Sequence, residues 1–140
     1  MASAAPVGLL NGLPADGDPA ALRALAQVNY GHFTSLQARD GAVQGLGLHL
    51  ARLVDGTTAL FDAALDVASV RRWMRDAVAT AGGSGSVRVT VFSRHFDHRD
   101  PLRPVDVDVL VAVAPPVVGA ERALRVQARA FVRTAPGIKH

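Results

Sequence analysis

Cysteine is absent from the 140-residue chain. That excludes disulfide frameworks, thiol catalysis and thiolate-bound structural zinc. Lysine is almost absent: of fifteen basic residues, only Lys139 is not an arginine. Glutamate is reduced to Glu121, against eleven aspartates. Aromatic residues make up 5%. No run of about 18 uncharged apolar residues occurs, so no transmembrane helix is expected. Residues 1–17 lack the basic start and apolar stretch of a secretory signal, and a cytoplasmic location is the expectation. What is present is globular: 49% hydrophobic, 19% charged, mean hydropathy +0.21. This is the composition of one domain, residues 1–140, with a full core.

The net charge is +3 and the isoelectric point about 10.5. A basic chain invites a nucleic-acid reading. Here the arginines are scattered and most sit within a few residues of an aspartate. The only tight group is Arg71, Arg72 and Arg75. The pattern reads as a solvated surface, with neither nucleic acid nor membrane as partner. Where arginine has replaced lysine almost everywhere, the one remaining lysine stands out. A guanidinium stays protonated and delocalised, so it cannot form a Schiff base, whereas a lysine amine can.

Along the chain, residues 7–10 read as a strand entering an Asn11-Gly12 turn. Asp18 and Pro19 are the cap and first residue of a short helix over 20–27. Alternation from Phe33 to Ala38 gives a strand, and Asp40-Gly41 a hairpin turn. Residues 42–48 are expected as the returning strand. Helical spacing then predicts helices over 48–66 and 67–81, with Gly56 a weak point in the first. Strands are expected over 86–92, 105–114 and 122–133, the last on the clean alternation of Leu124, Val126, Ala128, Ala130 and Val132. The fold class is α+β: a mostly antiparallel sheet packed with two or three helices.

Several motifs weaken on inspection. His95 and His98 form an H-x-x-H pair beside Asp97 and Asp100, but lack the glutamate and helix of a metalloprotease, so no metal is expected. Gly82-Gly83-Ser84-Gly85 lacks the Lys and Ser/Thr of a phosphate loop and precedes a strand. His49-Leu50-Ala51-Arg52-Leu53 opens the long helix. There Leu50 and Leu53 suit a core, and Arg52 suits either solvent or an anion.

Taken in order, Asn29-Tyr30-Gly31-His32-Phe33, then Asp40-Gly41, then His49-Leu50-Ala51-Arg52-Leu53, then Lys139 resemble the class IV aminotransferases. These are the fold-type IV pyridoxal phosphate enzymes, which include branched-chain aminotransferases, D-amino-acid aminotransferases and aminodeoxychorismate lyases. The resemblance runs over nearly the whole chain and implies the small N-terminal domain of that family. It implies pyridoxal 5'-phosphate as cofactor, Lys139 as the catalytic Schiff-base lysine and Arg52 as the binder of the cofactor phosphate. Phe33, Gly31 and Arg88 would line the substrate site. An amino acid or keto acid would be the substrate, and a homodimer the assembly. The family's common glutamate after the phenylalanine is Thr34 here. Family members are about twice as long, and the cofactor domain that follows their lysine is absent from this sequence. Transamination is the expected activity. Aminodeoxychorismate lyase chemistry and a non-catalytic binding or assembly domain are the alternatives.

Overall fold

The computed structural model describes residues 7–119 and 122–139. Six strands form one sheet in the order β2-β1-β6-β5-β3-β4, with every neighbouring pair antiparallel. They are β1 (Val7–Leu10), β2 (Leu13–Pro14), β3 (Gly31–Arg39), β4 (Ala42–Val43), β5 (Gly85–Phe92) and β6 (Asp108–Ala114). Three helices accompany them: α1 (Pro19–Val28), α2 (Leu46–Phe61) and α3 (Val67–Thr80). Side chains alternate across a strand. One face carries Leu36, Ala38, Val87, Val89, Val91, Val109, Val111 and Val113, all buried under α2 and α3. Burying one such side chain contributes roughly 1.5–3 kcal/mol. On the other face α1 covers only one end, over Leu10, Ala15 and Phe92.

The seat of α2 on β3 depends on two unusual residues. His32 points from β3 into the helix and is 2% exposed. The Thr57 hydroxyl donates to the Leu53 carbonyl at 2.7 Å. It can therefore only accept from His32, whose Nε2–H lies 3.1 Å away. Gly56 makes room for the ring, because a Cβ there would stand 2.6 Å from His32 Nδ1. The apparent weak point of the helix is thus where it packs closely on the strand. Burial pushes the His32 pKa down to about 4, since desolvation disfavours the charged ring.

A half-buried charge cluster ties the other end of the sheet together. Arg94 bridges Asp108 at 2.8 Å and Asp18 at 2.7 Å. Burial alone would raise the Asp108 carboxyl, but hydrogen bonds from Arg94 and Asn11 outweigh it and hold the group low. Asn11 also accepts from the Val109 N–H at 2.9 Å. Asn11 and Gly12 have φ of 50° and 86°, as the expected tight turn requires. Asp18 caps α1 by accepting from the Ala21 N–H at 3.1 Å, and Pro19 is its first residue. Asp40 and Gly41, with φ of 50° and 74°, make the second hairpin.

Three expected elements differ. The returning strand at 42–48 is only Ala42–Val43, because Gly45 turns left-handed at φ 67° and α2 starts at Leu46. That helix ends at Phe61, where Asp62 is left-handed at φ 49°, and Asp66 caps the next one. The strand expected over 122–133 is unpaired coil. Leu124, Val126, Phe131 and Val132 are 69 to 91% exposed. Alternation alone does not make a strand, since a ladder needs a neighbour, and no described strand lies beside this segment. Glu121 lies outside the described residues.

Gly56→Ala should cost about 1–3 kcal/mol, through overpacking against His32, read from urea unfolding. An unchanged midpoint would refute this account of the α2–β3 contact. Because the folded His32 pKa lies below its unfolded value of about 6.5, the unfolded chain binds the extra proton between the two. Stability should be full above pH 6.5 and fall toward pH 4, by at most about 1.4 kcal/mol per pH unit from this residue. His32→Gln should flatten that dependence.

Candidate functional site

β4 pairs only with Ala38 and Arg39, so among the described residues no strand covers the rest of that edge of β3. The C-terminal segment returns to it. The Phe33 N–H donates to the Lys139 carbonyl at 2.7 Å. Farther along, the Val117 N–H donates to Gln37 Oε1 at 3.2 Å. Lys139 is half-buried there. Its Nζ stands 5.0 Å from the centroid of the Phe33 ring, and the Arg88 guanidinium carbon 3.6 Å from it. Two cations thus share one aromatic ring, an attractive arrangement through the ring's quadrupole. Arg88 reaches the ring because β5 pairs with β3, placing Arg88 opposite Ser35 and Thr90 opposite Phe33.

Thr34, next along β3, points the other way and is fully buried. Its hydroxyl lies 2.7 Å from His49 Nδ1, in the first turns of α2. Burial lowers the His49 pKa first, and the positive charges of Arg52 and Lys139 lower it further. Arg52 follows His49 by three residues, on the same side of the helix, and is exposed. A cleft of about 630 Å³ opens beside His49, bounded by Gln37, Arg39, Val43 and Gln44.

The structure therefore brings Lys139, Phe33 and Arg88 into contact. Arg52 is not among these contacts, although its charge acts on His49. Gly31 stands apart, at the start of β3. A Cβ there would meet the Val91 carbonyl oxygen at 2.4 Å, so strand pairing alone demands glycine at this position. Of the histidine pair in the 94–104 loop, His95 is exposed and His98 packs on neighbouring rings. His98 Nε2 donates to the Val28 carbonyl at 2.9 Å and meets the edges of Tyr30 and Phe96. Among the described residues, no three His, Asp or Glu side chains converge as a metal site would need. His49 and Thr34 are the residues the sequence left without a role. The His49-x-x-Arg52 spacing on one helix face was the available signal.

No protein-family model matches this chain, and no curated protein is similar to it in sequence. Solved structures do match. One is the 4-amino-4-deoxychorismate lyase of Pseudomonas aeruginosa, at 23% identity and a TM-score of 0.63, over 83% of this chain and 42% of that one. Another is a branched-chain amino acid aminotransferase from T.th., complexed with N-(5'-phosphopyridoxyl)-L-glutamate. It matches at 16% identity and a TM-score of 0.65, over 81% of this chain and 42% of that one. The chain spans less than half the length of these neighbours. At such identities the likeness is one of fold. The six-stranded antiparallel sheet with three helices matches, in fold, the small N-terminal domain of the fold-type IV enzymes. No helix among the described residues is long and apolar enough to cross a membrane.

Since the charges of Arg52 and Lys139 both depress His49, Lys139→Gln and Arg52→Gln should each raise its pKa. The double variant should raise it further. Histidine ring proton titration by NMR reads this directly, and a His49 titration untouched by both changes would refute the cluster.

Proposed function

We propose that this chain is the lysine-bearing N-terminal part of a class IV pyridoxal phosphate enzyme, a single α+β domain that works as an aminotransferase on amino and keto acids. The observation that carries the reading is the return of Lys139 to that edge of β3, within 5.0 Å of the Phe33 ring. The donor set suits an anionic aldehyde cofactor: one primary amine, an arginine for the phosphate and an aromatic wall. When bound, pyridoxal 5'-phosphate supplies the electron sink that makes the Cα proton of an amino acid acidic.

The chain's own residues have separate tasks. Lys139 presents the amine that would hold the cofactor aldehyde, and would carry the proton to and from Cα. Arg52, in the second turn of α2, would take the phosphate by charge-assisted hydrogen bonds. Arg88 would pair with the substrate carboxylate beside the Phe33 face, while Gly31, whose missing side chain the Val91 carbonyl accounts for, is given no part in binding. His49, held by Thr34, sits near both proposed cofactor-binding cations. Held neutral, it adds no third charge to repel them. The remainder of the cofactor site would come from a second half of the protein, and a homodimer would complete the assembly. Lyase chemistry would use the same lysine; it differs in whether a supplied keto acid becomes an amino acid.

Incubation with pyridoxal phosphate, then borohydride reduction and peptide mass analysis, tests the reading. One adduct on Lys139 is expected, and the α-amino group is the one competing amine, because no other lysine exists. Label confined to the α-amino group would remove the catalytic reading and favour an assembly domain.

A further inference from the structure

The tight basic group of the sequence, Arg71, Arg72 and Arg75, lies on α3, far along the chain from the residues assigned above. Arg72 is engaged, its Nη2 donating to Ser69 Oγ at 3.0 Å. Arg71 and Arg75 are exposed, and neither has an ion-pair partner among the described residues. They stand one helical turn apart and face the same side. Beside them is a cavity of about 450 Å³, between α3 and the β3–β4 hairpin. Its floor is apolar, formed by Leu36, Val43, Leu46, Met74 and Val78.

The end of this cavity is braced. The Gly41 N–H donates to the Gly83 carbonyl at 2.7 Å, and the Asp40 N–H to Ser84 Oγ at 2.9 Å. These bonds clamp the hairpin turn against the turn that leaves α3. Gly41 and Gly83 hold φ of +74° and +89°, conformations that side-chain-bearing residues rarely adopt. A wall fixed in this way is formed before any ligand arrives, which lowers the cost of binding. Asp40 is the one acid in the lining, so the two arginines leave the rim net positive.

We propose that this cavity is a second ligand site, distinct from the Lys139 cluster, for a small amphipathic carboxylate with an aliphatic or aromatic body. Its volume falls among small-molecule sites, roughly 300–1,000 Å³. The apolar floor takes the body of the ligand. The guanidinium groups of Arg71 and Arg75 take the carboxylate, for which their planar forks are matched. An inorganic anion would leave the floor uncovered, and a neutral chain would leave the arginines unused.

The test titrates the full chain, labelled with nitrogen-15, with sodium octanoate, and follows the Gly41 and Gly83 amide signals. A saturable shift at both is expected, with 1-octanol and inorganic phosphate each binding at least about tenfold more weakly. The Arg71→Gln, Arg75→Gln double variant should weaken octanoate about tenfold and leave the melting temperature unchanged, since both side chains are exposed. Three results would overturn the proposal. One is the lack of a saturable response at the two glycines. Another is octanoate affinity indifferent to the arginines. The third is a response to protein concentration in place of octanoate, which would mean that a second copy covers the cavity. None of these outcomes depends on whether Lys139 takes up pyridoxal phosphate.

Discussion

β3 must satisfy two faces and one edge at the same time, and the candidate site is the result. Its inward residues, His32, Thr34, Leu36 and Ala38, seat the helices. Its outward residue Phe33 carries the cations. Its edge amide holds the returning chain. A register slip of one residue would exchange the faces and disperse all three functions together. The full-length pairing of β3 with β5, from Gly31 to Ala38, guards against that slip.

Placement of α2 follows from the same strand. The close approach at Gly56 and the Thr57 hydroxyl set where the helix lies along β3. That in turn decides where its first turns put His49 and Arg52. A side chain at position 56 would move the helix, and Arg52 with it. Helix propensity alone would favour alanine there by about 1 kcal/mol. The glycine is explained by its contact across the interface, a tertiary demand that overrides the local one.

Much of this was legible in the sequence wherever a local signal sufficed. Asn11-Gly12, Asp40-Gly41, the Asp18 cap with Pro19 and the alternation of β3 and β5 each report their structure through short-range sterics or hydrogen bonding. The segment 122–133 was misleading because alternation reports a side-chain pattern and not the presence of a partner strand. The shortness of β4 was hidden in the same way, since Gly45 acts only through its backbone angle. For the site, the spacing of Phe33, Arg52 and Lys139 was visible. The Arg88–Phe33 stack depended on strand pairing, and the Thr34–His49 bond on where α2 docks. Neither has a signature in one dimension.

The sheet order carries a consequence for the birth of the molecule. β1 and β6 are neighbours, with Val7 opposite Val113, so β1 cannot complete its pairing until most of this chain has been made. As the chain leaves the ribosome, β3, β4, β5 and the two covering helices can associate early, through nearer contacts. The far edge of β5 then stays open until β6 arrives. That edge is rich in valine, and an unpaired valine-rich edge is a template for wrong partners. Non-local pairing of this kind slows folding. The interval between the synthesis of β5 and that of β6 is therefore when the nascent chain is most exposed to aggregation.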